Sequence, residues 1–219
     1  MNPLAKYAHV EGQIRSIEAM RLYRLALGLP PYAAVVEIGS YRGKSTLALA
    51  QGIKDGHGGR VYAIDPHSPK DGYANIDGII MAANIRASKL HNIMQVDHYS
   101  QDALGMVPPM IDLLWIDGDH SPEGVMRDFD LYAPRITRGG IIALHDTQYK
   151  GPWAVVDRII GGNEFGNVRC CWSVTYATRN GRGTTVQNRL AVTAYHKAFA
   201  ALASVKQAMA GKERDGKTI

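Results

Sequence analysis

Short apolar runs alternate along this chain with segments whose apolar residues recur at helical spacing, the pattern of a wound α/β sheet. Ile14, Ile17, Met20, Leu22, Leu25 and Leu27 predict a helix over about Gln13 to Leu27, closed by Gly28 and Pro30-Pro31. Strands are expected at Val35–Ile38, Arg60–Ile64, Ile93–Val96, Ile111–Ile116 and Ile141–Leu144. Helices are expected between them, from Lys44 to Ile53, from Ile79 to Leu90, from Ser121-Pro122-Glu123 to Tyr132, and from Trp153 to Ile160. Arg169–Thr178 and Thr184–Gln187 flank Asn180-Gly181, which predicts an antiparallel hairpin turning at that dipeptide. A long helix from about Val186 to Met209 follows, with Tyr195, Phe199, Leu202, Val205 and Met209 on one side, and then a loose tail from Gly211. Short apolar strands joined by helical crossovers require a parallel sheet covered on both faces, and the hairpin completes seven strands with an antiparallel edge.

Length adds a partition: residues 1–30 form a helical extension over the active site, 31–188 the α/β domain, and 189–219 a terminal helix and tail. No apolar run reaches the about 18 residues that span a bilayer, and Met1 to Lys6 lack the apolar core of a signal peptide. Cys170 and Cys171 are adjacent, which is neither a disulfide framework nor a metal knuckle; one is expected to point inward from a strand. A cytoplasmic protein with no membrane partner is expected. The net charge of +5 is scattered, with no basic run interleaved with aromatics, which argues against nucleic acid and suits a small anionic ligand or substrate.

The first strand runs into Glu37-Ile38-Gly39-Ser40-Tyr41-Arg42-Gly43-Lys44-Ser45-Thr46. In open α/β sheets the ligand lies at the carboxyl ends of the strands, and the loop after the first strand is its usual seat. A phosphate loop needs four residues between its first glycine and Gly-Lys-[Ser/Thr]; here three intervene, and Glu37 would repel phosphate. A dinucleotide loop needs Gly-x-Gly, which Gly39-Ser40-Tyr41 breaks. What remains is Glu-x-Gly-x-x-x-Gly, from Glu37 through Gly39 to Gly43, with a second acid, Asp65, ending the second strand where it can accept from two ribose hydroxyls. A ligand with a ribose, no phosphate and a cationic centre is S-adenosylmethionine.

These residues, together with Ala63-Ile64-Asp65-Pro66-His67, resemble the class I S-adenosylmethionine-dependent methyltransferases. More narrowly they resemble the metal-dependent O-methyltransferases that modify sugars and macrolide sugars, over roughly residues 9–150. The resemblance implies a Rossmann-like sheet and a cofactor held by Glu37, Gly39, Ser40, Gly43, Ser45, Asp65, His67 and Asp117. Ser100 and Gln101, in the loop after the third strand, match the adenine-wrapping positions. Tyr41, Arg42, the residues from His67 to Tyr73, Gln148-Tyr149-Lys150 and the lead-in around Glu11-Gly12 border the same cleft and are candidates for acceptor recognition.

The fourth strand ends in Asp117-Gly118-Asp119-His120 and the fifth in His145-Asp146-Thr147. Paired carboxylates at adjacent strand ends suit a hard divalent cation such as Mg²⁺. In the metal-dependent group an acid after the fourth strand and an Asp-[Asn/Asp] pair after the fifth hold the metal. Carried over, these are Asp117, Asp146 and the position of Thr147, where threonine departs from the pattern. A cation would acidify an acceptor hydroxyl, and a base beside it would take the proton. His120 lies where related catechol enzymes place a lysine, and His145 is the second candidate; imidazole suits base work near neutral pH. The reading is therefore a Mg²⁺-dependent transfer of methyl to a sugar hydroxyl by a homodimer. A catechol or phenol acceptor, a hydroxylase-like relative and a non-catalytic nucleotide-binding module are the alternatives.

Overall fold

The computed structural model describes residues 2–68 and 76–215, with side chains to residue 205. Seven strands form one sheet: β1 Ala33–Ile38, β2 Gly59–Ile64, β3 Ile93–Val96, β4 Ile111–Ile116, β5 Ile136–Leu144, β6 Phe165–Cys171 and β7 Val174–Arg179. Their order is β3-β2-β1-β4-β5-β7-β6, parallel through β5 and antiparallel at β7 and β6. The strand order reverses between β1 and β4, so their carboxyl ends frame the ligand crevice. The helices are α1 Ser16–Leu27, α2 Lys44–Asp55, α3 Asp77–Ser88, α4 Ser100–Ala103, α5 Pro122–Tyr132, α6 Lys150–Gly161 and α7 Val186–Asp215. Among the described residues no helix is long and apolar enough to cross a membrane.

Alternation along β1 builds the two cores. Val36 and Ile38 join Leu114, Ile116, Phe129 and Val155 on one face; Ala33 and Val35 join Leu22, Leu47, Trp115 and Met81 on the other. Helix α1 lies across α2, where Gly52 and Gly56 make room: a Cβ on Gly52 would come within 2.4 Å of the Tyr23 carbonyl oxygen.

Three expectations are corrected. The hairpin turns at Trp172-Ser173, with Cys171 opposite Val174, and not at Asn180-Gly181. No turn dipeptide marks that reversal. A distant side chain holds it: Glu18 of α1 accepts from both the N–H and the hydroxyl of Ser173, at 3.1 and 2.5 Å. Asn180 and Gly181 donate their N–H groups to the Glu164 carbonyl and close the other end of the hairpin, so Thr184–Gln187 is no strand. Helix α7 runs on through Gly211 to Asp215, which replaces the expected loose tail up to that residue; residues 216–219 lie outside the described ones. Its inward side is also rotated from the expected one. Val192 and His196 are buried, whereas Leu202 and Val205 are exposed. The side chain of Met209 lies outside the described residues.

Candidate active site

At the carboxyl ends of β1, β2 and β4 lies a cavity of about 530 Å³, walled by Gly39, Asp65, Ser100, Gln101, Gly118 and Asp128 among others. The glycine loop makes it possible. Gly39 has φ of +88°, and a Cβ there would sit 2.2 Å from the carbonyl oxygen of Asp117, so loop and strand end touch backbone to backbone. Gly39→Ala is expected to cost at least roughly 1–3 kcal/mol from backbone strain alone, read as a lower midpoint in urea unfolding. Gly43, at φ of +89°, precedes the first turn of α2.

Both expected cofactor acids are already engaged by this protein's own groups. Asp65 faces the cavity, but its two oxygens already accept from the N–H groups of Tyr41 (2.8 Å) and His67 (2.9 Å), which fastens the loop to the end of β2. His67 is off the cavity wall. Its Nε2 lies 2.8 Å from the Tyr41 carbonyl and its Nδ1 3.0 Å from Asp97, a latch on the same loop. Glu37 was expected to meet the ligand's charge; instead it is fully buried beneath the loop. Thr46 Oγ1 donates to one oxygen at 2.5 Å, and the other has no hydrogen-bond partner among the described residues. Burial pushes its carboxyl up to about 8; the Ser45 and Thr46 hydroxyls oppose that, and Asp117 and Asp65 add to it. Ser40 is buried with its hydroxyl on Met81 Sδ, 3.3 Å away.

Asp128 is a wall residue that sequence reading missed. It accepts from Ser100 Oγ at 2.5 Å, and Tyr132 donates to the Ser100 carbonyl at 2.6 Å, so α5 fixes the start of α4. Burial pushes the Asp128 carboxyl up to about 6 against the pull of the Ser100 hydroxyl and Arg127. An acid between Val125, Phe129 and Tyr132 on the inward face of α5 was the available signal.

A smaller cavity of about 160 Å³ shares Gly39 and Gly118 with the first. Its wall includes Ser45, Asp117, His120 and, from the N-terminal segment, Gly12, Gln13 and Ile14. Here the two strand-end motifs meet. Asp117 Oδ1 lies 3.0 Å from His145 Nδ1 and 3.4 Å from His120 Nε2. Asp146 Oδ2 stands 3.9 Å from His120 Nδ1 and 3.7 Å from His145 Nδ1.

His145 is buried, and its Nε2 faces Glu18 Oε2 at 3.5 Å, an ion-pair distance rather than a hydrogen bond. Burial lowers its pKa, but the carboxylates of Asp117, Glu18 and Asp146 outweigh that and hold it near 10. That favours the charged ring at neutral pH and makes His120 the better placed of the two as a base. His120 is partly exposed at the cavity, with its pKa raised by the hydrogen bond to Asp117 against the effect of burial.

Of the three expected Mg²⁺ ligands, Thr147 is not placed to serve. Thr147 is fully buried and turned away, donating to the Ser173 carbonyl at 2.9 Å and lying 3.0 Å from Thr175 Oγ1. Asp117 Oδ1 is shared by two imidazoles, and Asp146 Oδ1 accepts from Gln148 Nε2 at 2.9 Å. Among the described residues no three His, Cys, Asp or Glu side chains are grouped to hold a metal ion.

Residues 36–147, from β1 to the turn after β5, match the family described as Methyltransferase domain. The chain belongs to that methyltransferase family. A curated relative, uncharacterized protein R132 of Acanthamoeba polyphaga mimivirus, is 33% identical over 118 residues, 52% of this chain and 51% of that protein. The methyltransferase thus spans about half the length of the curated relative it matches. Among solved structures, the O-methyltransferase from Bacillus cereus in complex with SAH shares the fold at TM-score 0.61 and 15% identity, over 81% of this chain and 87% of that one. The O-methyltransferase TomG from Streptomyces achromogenes, in complex with SAM, gives 0.63 and 14% over 82% and 86%. An rRNA methylase from Streptococcus thermophilus gives 0.57 and 16% over 77% and 99%, so the methyltransferase shares its sheet with proteins of different named acceptors.

Proposed function

We propose that this methyltransferase transfers a methyl group from S-adenosylmethionine to a hydroxyl oxygen of a small molecule bearing a sugar. The observation that carries the oxygen acceptor is His120. A partly exposed imidazole, oriented by Asp117, stands on a cavity that shares its wall with the larger one. The sugar rests on the resemblance in the glycine loop and the Asp-Gly-Asp-His segment.

The residues present suit the cofactor. The larger cavity has the size of a nucleoside-binding pocket, within the about 300–1,000 Å³ usual for ligand sites. Asp65, Ser100, Gln101 and Asp128 supply polar contacts on its wall. When bound, S-adenosylmethionine supplies a methyl group whose transfer to oxygen breaks its carbon–sulfur bond. His120 takes the acceptor's proton at a ring nitrogen. Asp117 and Asp146 favour the imidazolium that results, and Gly12 to Ile14 shield the site from water. His145, pinned by Glu18, keeps Asp117 in place and contributes the positive charge that a cation would otherwise provide.

The testing experiment is transfer from labelled S-adenosylmethionine to a panel of glycosides and phenols. Transfer to a glycoside hydroxyl supports the reading, and transfer to phenols alone replaces the acceptor. The same assay with EDTA should proceed at an unchanged rate. Loss of turnover that Mg²⁺ restores would overturn the cation-independent part.

A further inference from the structure

The cavity of about 530 Å³ has one polar corner whose hydrogen-bonding character is fixed by its own contacts. Asp128, on α5, is 1% exposed, and what is open of it faces the cavity. Its Oδ1 accepts from the Ser100 hydroxyl at 2.5 Å. Its Oδ2 has no hydrogen-bond partner among the described residues and is not closed off from the cavity. Gly118 beside it has no side chain to cover it; a Cβ there would stand 3.7 Å from that oxygen. A buried carboxylate with one oxygen unpaired is costly, so the corner calls for a donor from the ligand.

The direction of the Ser100 proton decides what kind of donor. Ser100 has a single hydroxyl hydrogen and two oxygens in reach, Asp128 Oδ1 at 2.5 Å and Gln101 Oε1 at 3.4 Å. The closer, charged acceptor takes it. Towards the cavity the Ser100 oxygen can then only accept. Tyr132 holds Ser100 in place by donating to its carbonyl at 2.6 Å. The Asp128 carboxyl, pushed up to about 6 by burial, is still mainly ionised at neutral pH and accepts as well. Gln101 can present either end of its amide and selects nothing. Of the other charged groups on this wall, Arg127 faces Asp119 at 3.9 Å, and Asp65 holds the N–H groups of Tyr41 and His67. The two fixed acceptors, Asp128 Oδ2 and Ser100 Oγ, together suit a group that brings two hydrogens.

We propose that Asp128, with the Ser100 hydroxyl it orients, selects the base of the cofactor by accepting from the exocyclic amine of adenine, and so rejects a base that carries an oxygen in that place. The inference rests on S-adenosylmethionine as the cofactor. The reacting sulfonium must face the smaller cavity, where His120 stands, so the base takes the part of the larger cavity that the two do not share. Ser100, Gln101 and Asp128 all lie in that part. Asp65, at the end of β2, keeps lone pairs for the ribose. The adenine amine is a donor with two hydrogens, whereas hypoxanthine would set a carbonyl oxygen against the carboxylate. The resemblance in sequence supplied Ser100 and Gln101; Asp128 adds the polarity, because it decides which way the Ser100 proton points.

The test is calorimetric titration of the full chain with S-adenosylhomocysteine and, separately, with S-inosylhomocysteine, its deaminated counterpart. The wild type should bind the adenosyl compound more tightly by about tenfold to a hundredfold. Asp128→Asn reverses the polarity of the corner. The Ser100 proton keeps the amide oxygen, so the NH₂ takes the place of Oδ2 and offers hydrogens where the carboxylate offered lone pairs. This variant should lose about tenfold or more on the adenosyl compound and narrow or invert the preference. Equal affinities in the wild type overturn the inference, a comparison that needs no variant. A variant that keeps the wild-type ratio, whether both affinities hold or both fall, also overturns it, since a residue that only props Ser100 would behave so. Failure of both compounds to bind the wild type overturns the inference and the proposed function alike. The expected ratios in a protein that methylates neither glycosides nor phenols keep the inference and sink the proposed function instead.

Discussion

Replacing Glu18 with Ala should destabilise the protein by roughly 3–5 kcal/mol, the cost of removing one partner of a buried ion pair. Glu18 is 1% exposed and has no role in the local logic of α1 beyond accepting from the Arg15 N–H at 2.8 Å. Its remaining contacts are distant: both polar hydrogens of Ser173 at the hairpin turn, and the His145 ring. Alanine leaves His145 charged and buried, with one carboxylate fewer, and removes what holds the turn between β6 and β7. The pH profile of stability separates these effects. Burial pushes the Glu18 carboxyl up, but His145, Ser173 and the Arg15 N–H outweigh that and hold it near 2, against an ordinary 4.5. Its contribution is therefore complete above 4.5 and is lost as pH falls towards 2. His145, held near 10 against an ordinary 6.5, contributes fully below 6.5, and that contribution is lost as pH rises through 10. Wild-type stability should be greatest between those two limits, declining on each side. Glu18→Gln, which keeps hydrogen-bonding atoms without the charge, should flatten the acid limb. Urea unfolding from pH 2 to 10 checks this. An unchanged acid limb in Glu18→Gln would remove the ion pair from the account.

What the chain reveals locally and what it hides divide along physical lines. The five parallel strands and the helices α2, α3 and α5 follow from period and punctuation and were legible; the single turn of α4 was read as a loop. The Gly39 turn and the Ser121-Pro122 helix start were legible for the same reason, since backbone chemistry there is decided by the residue itself. Strand-end acids were also legible as a cluster, because topology alone brings Asp117, His120, His145 and Asp146 together. Their roles were not legible. Whether Asp117 binds a metal or an imidazole depends on the orientation of side chains at the ends of two successive strands, and on Glu18, which arrives from outside the motif. The signal for Glu18 existed: it stands four residues from both Ile14 and Leu22, an acid on the apolar face of α1. The hairpin failed for a related reason. Its turn is stabilised by a tertiary contact, while the Asn-Gly pair that signals a turn serves as a closing clasp.

His120→Ala should lower kcat by about 10²–10⁴-fold, the usual worth of a positioned general base, with little change in cofactor affinity because His120 is absent from the larger cavity's wall. Its loss should also be visible in the pH dependence. The base works only when neutral. Its pKa is raised by the hydrogen bond to Asp117, against burial, and further by the charges of Asp117 and Asp146, with His145 opposing. The activity limb of the wild type should therefore rise above 6.5. Asp146→Asn removes one carboxylate that favours the imidazolium, so the limb should move to lower pH while its height falls, because a weaker base accepts the proton less readily. A structural role for His120 would lower activity without either shift. A metal-bound hydroxyl as the nucleophile would give a limb that follows the identity of the added cation, and Asp146→Asn would then abolish turnover rather than displace its pH dependence. His145→Gln discriminates further. It removes the fixed cation between Asp117 and Glu18, and the His120 pKa should rise because one opposing positive charge is gone. The limb then moves to higher pH. Opposite displacements from two neighbouring substitutions, Asp146→Asn downward and His145→Gln upward, are what a charge cluster acting on one titrating base requires.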